Sequence, residues 1–212
     1  PISLDKVIKR QGHSAPFATQ APFYALIEFE TRTQVTSVAL ALFEQCAAQG
    51  WVLDGVVSQS LAQTRALWRL REDISETLWH WQPYKNDISV RVSKMSDFLA
   101  EVDQLVAARY PDFEIVWYGH IGDGNLHLNI LKPEDLPQTE FFERCGIVSL
   151  EIGELLARYG GSISAEHGVG LLKKSLLPYS RSPVEIALMR SIKKTFDPKS
   201  ILNPGKVFDA LV

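Results

Sequence analysis

The residues most able to do chemistry sit in two short segments. The first is Gly119-His120-Ile121-Gly122-Asp123-Gly124-Asn125-Leu126-His127. Asp-Gly at its centre is a favoured two-residue hairpin turn, because both central positions of that turn need positive φ. With the turn at Asp123-Gly124, His120 pairs with His127 and Tyr118 with Asn129. Directly paired side chains have Cβ atoms roughly 5 Å apart, within reach of one metal ion. Strand alternation sends Trp117, Ile121, Leu126, Leu128 and Ile130 to the apolar face and leaves Tyr118, His120, His127 and Asn129 as a polar row. A lone histidine is most often a hydrogen-bonded structural residue. Two that face each other beside a polar row favour a metal or catalytic role instead.

The second segment is Ser162-Ile163-Ser164-Ala165-Glu166-His167-Gly168-Val169-Gly170. It sets a carboxylate beside an imidazole in an irregular, glycine-bounded stretch. Adjacent side chains point apart, so the two have different tasks. Glu166 can complete a site of two histidines and one carboxylate with His120 and His127, leaving coordination positions open. His167 is then free to act as a general base. Neither glycine-rich stretch is a nucleotide loop, because Gly122-Asp123-Gly124 and Gly168-Val169-Gly170 both lack the third glycine of the dinucleotide fingerprint.

Elements of both kinds must position these residues. Apolar runs predict strands over Phe23–Phe29, Trp51–Val57 and Asp87–Val92, and a hairpin over Glu114–Leu131. Helical spacing predicts helices over Thr33–Gln49, Ser60–Trp81, Met95–Tyr110, Glu140–Tyr159 and Pro183–Phe196. Within Ser60–Trp81 the core stripe is Leu67, Leu70, Ile74, Leu78 and Trp81, while Arg71 and Ser75, four apart, share another face. The polar N-terminal piece with Gly12, Pro16 and Pro22 reads as linker. A hairpin among mixed elements predicts an α+β fold, with helices packed on an antiparallel sheet.

Composition sets outer limits. Across 212 residues, 46% are hydrophobic and 22% charged, which is ordinary globular usage with room for one large domain, the default, or two small ones sharing a core. A net charge of −3 offers no broad positive field, so no nucleic-acid partner is expected. Cys46 and Cys145 lack Cys-x-x-Cys spacing and fall in apolar helical patterns, as small hydrophobes do in a reducing compartment. No apolar run approaches the length of a membrane span, and the first residues lack the regions of a secretory signal. A cytoplasmic location is the expectation.

Taken together, Gly119 to His127, Ala165-Glu166-His167-Gly168-Val169-Gly170, Asp197-Pro198 and Leu202-Asn203-Pro204-Gly205-Lys206 resemble the C-terminal domain of FAD-linked oxidases. The subgroup is that of the D-lactate and D-2-hydroxyglutarate dehydrogenases. The resemblance extends back through Leu70-Arg71-Glu72 and Tyr84-Lys85. It implies a ferredoxin-like substrate-binding cap over residues 1–212, set on a separate FAD domain of the same polypeptide that this chain does not contain. It also implies a divalent metal, zinc by first choice, on His120, His127 and Glu166, with His167 taking the hydroxyl proton of a 2-hydroxy acid while hydride leaves for FAD. Arg71, Lys85, Ser75 and Asn129 are implied as substrate residues, and Asn203 as a flavin neighbour. A homodimer is one assembly left open by the sequence. Two other readings stand beside this one: a metal-dependent hydrolase using the same three ligands, and a non-catalytic interaction domain with structural histidines.

Overall fold

In a computed structural model, the structure describes residues 1–30 and 35–209. It divides into two compact units, Pro1–His80 and Trp81–Val212.

The first unit is helical. Its helices are α1 (Ile2–Gln11), α2 (Val35–Ala48), α3 (Leu61–Glu72) and α4 (Ile74–Trp79). The stretch expected to be linker therefore opens as a helix, anchored by buried Ser3 and Val7 and by His13 Nε2, which lies 2.7 Å from Asp73 Oδ2. The helix expected over Ser60–Trp81 divides at Asp73, although Asp73 N donating to Arg69 O and Thr77 N to Asp73 O carry the helical pattern across the junction. Arg71 thus belongs to α3 and Ser75 to α4. Leu70, Ile74 and Leu78 of the expected stripe are buried, whereas Leu67 and Trp81 are half-buried.

Two expected strands do not form. Phe23–Phe29 and Trp51–Val57 join no ladder among the described residues, and Phe23 and Trp51 are largely exposed. A short apolar run reads as a strand only while a partner edge is assumed, and none is supplied here. Residues 33 and 34 of the helix expected over Thr33–Gln49 lie outside the described residues.

The second unit is α+β and carries the site. Its order is β1 (Tyr84–Ser89), α5 (Met95–Arg109), β2 (Ile115–His120), β3 (Asn125–Ile130), α6 (Gln138–Tyr159) and α7 (Pro183–Phe196), with 3₁₀ turns at Val92–Lys94 and Lys174–Tyr179. The sheet is antiparallel in the order β1-β3-β2. An isolated antiparallel bridge, Ser89 to Ser162, adds a vestigial fourth edge beside β1. The succession β-α-β-β-α-bridge in that spatial order is the ferredoxin-like arrangement.

Local chemistry explains the helix ends. Pro111 forces Tyr110 out of the helical region and stops α5. Gly160, left-handed at φ 63°, stops α6. Ser182, Pro183 and Glu185 form a capping box with proline in the first turn of α7. One sheet face is the core. There Ile88, Leu126, Leu128 and Ile130 pack with Phe98, Val102 and Val106 of α5 and Phe141, Cys145, Ile152 and Leu156 of α6. Each fully buried large side chain in this layer contributes about 1.5–3 kcal/mol. Both cysteines are free, and burial pushes the Cys145 thiol up to about 11, so it serves as an inert apolar filler.

Candidate metal and catalytic site

The hairpin forms where the sequence places it, but with a longer loop. His120 pairs with Asn125, Tyr118 with His127 and Val116 with Asn129, so four residues, Ile121 to Gly124, make the turn. The two-residue turn fails because only Gly124 takes positive φ, at 78°. Asp123 instead uses its side chain to accept from Asn125 N at 3.0 Å. Gly124 also presses on β1's continuation: a Cβ there would stand 1.9 Å from Val90 O. The shift is by two residues, an even number, so every side chain keeps its expected face. The exception is Ile121, which sits in the turn and is exposed rather than in the core.

The polar face therefore assembles as expected and gains a third strand. Pairing of β1 with β3 sets Lys85 beside Asn129, Asp87 beside His127 and Ser89 beside Asn125. Val116 is the one apolar side chain of this face, and it is buried. Asn129 is buried too, donating to His127 O at 3.2 Å.

The Ser162–Gly170 segment is drawn over that face. Ser89 N donates to Ser162 O at 3.0 Å and Ser162 N to Ser89 O at 2.8 Å. Gly161 permits the approach, since a Cβ there would meet Ser89 O at 2.6 Å. The segment brings Glu166 Oε1 to 3.2 Å from His127 Nε2 and to 3.7 Å from His167 Nε2. Donor atoms of Asp87, His127, Glu166 and His167 all lie within 4.8 Å of one another. The His127 ring stacks on Tyr118 at 4.8 Å and on His167 at 5.6 Å. Asp87 and His127 are buried, while the side chains of Glu166 and His167 are about half exposed and form the rim.

Two donors on one zinc ion, each about 2.1 Å from it at tetrahedral angles, stand about 3.4 Å apart. The separation of His127 Nε2 and Glu166 Oε1 fits that spacing. The buried Asp87 Oδ1 has no hydrogen-bond partner, which also suits a site built for added positive charge. His120 shares the polar face, but its ring stands edge-on to His127 at 6.1 Å, and its Nδ1 lies 3.3 Å from Asn125 Nδ2. Of the three residues expected to hold metal, two converge and the third stands one ring further out.

Asp87 and Lys173 were not among the residues singled out from sequence. Burial pushes the Asp87 pKa up, but the backbone N–H groups of His167 and Glu166 and the charges of Lys173 and His167 outweigh it and hold the pKa below the usual carboxylate value. Burial lowers the Lys173 pKa against the pull of Asp87, and burial alone lowers that of Lys85. Asp87 alternates with Lys85 in β1 outside both motifs, and Lys173 follows the Ser162–Gly170 segment by three residues, so neither sequence position alone signals its role. The role of Asp87 emerges with strand register, and that of Lys173 with its hydrogen bonds to Asp87 O and Ile163 O.

Asn203 lies on an exposed turn with φ 45°. Buried Asp197 builds this turn by accepting from Ile201 N and Leu202 N, and Lys206 Nζ donates to Asn203 Oδ1 at 2.9 Å. Arg71 and Ser75 belong to the first unit. No helix among the described residues is long and apolar enough to cross a membrane.

Comparison with known proteins agrees with the motifs. The chain is 58% identical over 209 residues to a D-2-hydroxyglutarate dehydrogenase of Stutzerimonas stutzeri (strain A1501), covering 98% of this chain and 45% of that protein. It is 54% identical over 199 residues to a D-2-hydroxyglutarate dehydrogenase of Xanthomonas citri pv. viticola, covering 93% and 42%. With a mitochondrial D-2-hydroxyglutarate dehydrogenase of Danio rerio it shares 38% identity, covering 89% and 34%. The chain thus spans less than half the length of these relatives. The family model for FAD linked oxidases, C-terminal domain, matches residues 1–207, and the chain belongs to that family.

Proposed function

We propose that this chain is the substrate- and metal-side cap of a flavin-dependent dehydrogenase that oxidises a D-2-hydroxy acid, of the D-2-hydroxyglutarate or D-lactate type. The observation that carries the reading is the convergence of His127, Glu166 and His167 at the rim of a buried polar sheet face. The names of the relatives make D-2-hydroxyglutarate the first acid to try. A cytoplasmic setting is retained with it.

His120, His127 and Glu166 would hold a divalent metal, zinc by first choice, which would supply Lewis acidity toward the substrate's oxygen atoms. FAD, bound mainly by a separate domain, would supply the hydride acceptor, and Asn203 would be its neighbour on this chain. The remaining chemistry belongs to side chains of this chain. Arg71, Lys85, Ser75 and Asn129 are the residues assigned to binding the substrate carboxylates. Arginine suits that task through two parallel hydrogen bonds. His167 accepts the hydroxyl proton on Nε2. The C–H bond breaks with both its electrons leaving as hydride, the O–H bond breaks with its proton going to His167, and the carbon becomes a ketone.

The test is the anaerobic visible spectrum of the full-length protein with a panel of D-2-hydroxy acids. Flavin bleaching by one of them is the expected result. A full-length protein without bound flavin sinks the reading and promotes the metal-dependent hydrolase.

A further inference from the structure

We infer that Asp87 and Lys173 form a buried clamp that fixes the backbone of Glu166 and His167 over the sheet face, so that both act as positioning residues for the site. This rests on the functional reading above, in which Glu166 holds metal and His167 takes the hydroxyl proton.

The clamp begins where a strand pairing stops. β1 is an edge strand, and at its free edge Ser89 and Ser162 exchange both their N–H···O bonds, as one pair of an antiparallel ladder does. The next such pair would be Asp87 with Ser164. Instead Ser164 N turns back to Ser162 Oγ at 3.3 Å, and the ladder ends after a single bridge. Asp87 O, left without a ladder donor on that edge, accepts from Lys173 Nζ at 3.0 Å. The same ammonium donates to Ile163 O at 2.9 Å, and Lys173 N donates to Val169 O at 3.1 Å. One lysine thus ties β1 to the start of the Ser162–Gly170 segment and is itself tied to the segment's end.

Released from the ladder, the segment crosses the polar face, and the side chain of Asp87 meets it there. Oδ2 accepts from Glu166 N at 3.2 Å and from His167 N at 2.9 Å. Ser164 Oγ stands 3.1 Å from both Oδ2 and Gly168 O and has one proton to give between them. Lys173 Nζ lies 3.8 Å from Oδ2 and supplies the counter-charge that a buried carboxylate needs. Beyond its single bridge the segment has no helix or strand of its own, and the side chains of Glu166 and His167 are about half exposed. Their place at the rim therefore depends on two backbone N–H groups held from beneath by one charged oxygen. Hydrogen bonds to a charged acceptor are roughly twice as strong as neutral ones, and a displacement of about 1 Å at a reacting group costs on the order of 10²-fold in rate. The clamp acts on the chemistry through Glu166 and His167 rather than by touching a reacting atom.

Lys173→Met keeps an unbranched side chain but removes the charge and both hydrogen bonds, so the segment loses its tie to β1 at Ile163. Lys174→Met removes the same charge one residue on, where the ammonium pairs with Asp209. The experiment measures hydrogen exchange at single amides of the full-length protein, and then the reduction of its flavin by D-2-hydroxyglutarate. In the parent, the Glu166 and His167 amides exchange slowly despite their place at the rim. In Lys173→Met they exchange roughly 10- to 100-fold faster while the β3 amides are unchanged. The limiting rate of flavin reduction falls roughly 10- to 100-fold, with KM within about threefold of the parent. Lys174→Met changes neither. Unchanged exchange in Lys173→Met overturns the inference, and so does faster exchange at an unaltered rate of reduction. Fast exchange of the two amides in the parent overturns it without any variant, which covers a Lys173→Met protein that does not fold. A parent whose flavin no D-2-hydroxy acid reduces defeats the functional reading, and exchange in the same two proteins still decides the clamp.

Discussion

Asp87 and His127 face each other across the β1-β3 ladder, and their side chains meet with Oδ1 3.6 Å from Nδ1. This pairing couples the sheet to the chemistry, since β1 supplies the carboxylate, β3 the imidazole, and the Ser162–Gly170 segment is tied to both. A one-residue slip of β1 would put Asp87 on the core face and Ile88 against the histidine. Site and register therefore depend on each other.

Metal content separates the histidines by role. His127→Ala and Glu166→Ala lose bound metal, and His120→Ala weakens its retention by 10-fold or more. His167→Asn keeps a full complement. Elemental analysis of the purified full-length variants checks this. Metal lost from His167→Asn and kept in His120→Ala would exchange the two assignments.

Gly124→Ala tests the turn. The substitution brings a Cβ against Val90 O at a residue with φ 78°. Left-handed strain and overpacking together cost more than about 2 kcal/mol. Denaturant unfolding measures it, and a cost below about 0.5 kcal/mol would contradict the hairpin geometry.

Asp197 gives a pH dependence. The Lys193 ammonium is the largest influence, and with the Leu202 and Ile201 N–H groups it outweighs burial and holds the pKa below 3.8. A depressed carboxylate contributes stability that is present above its unfolded pKa and is lost as pH falls through the folded value. The difference in Tm between the parent and Asp197→Asn is therefore constant near neutrality and shrinks below about pH 4. A difference that grows in acid reverses the sign and removes Asp197 as the anchor of the Asn203 turn.

Lys85→Met addresses the substrate. A carboxylate contact made equally in ground and transition states raises KM by roughly 10-fold or more and leaves kcat within a few-fold. Steady-state kinetics of the full-length protein show which parameter moves. An unchanged KM removes Lys85 from the binding set.

Much of the second unit was legible from sequence, for identifiable reasons. Pro111, Gly160 and the Ser182-Pro183 start mark helix ends by backbone chemistry alone, so α5 and α7 fall where periodicity places them. Face assignment in the hairpin survived an error in the turn because the error was even. Asp87 was hidden because its role depends on which residue of β3 it meets, and β1 begins at Tyr84, three residues before the apolar run that signals it. The first unit was harder. Phe23–Phe29 and Trp51–Val57 are apolar enough for strands but find no partner edge, and the α1 helix is held by tertiary contacts such as His13 with Asp73 that no local pattern announces.

The most direct test of the proposed function is anaerobic stopped-flow reduction of the flavin by D-2-hydroxyglutarate in the full-length protein, comparing the parent with His167→Asn. The account predicts reduction in the parent and a rate 10²- to 10⁴-fold lower in the variant, with flavin and metal both retained. A variant that reduces its flavin within about threefold of the parent rate would contradict the role given to His167 and, with it, the chemistry assigned to this site.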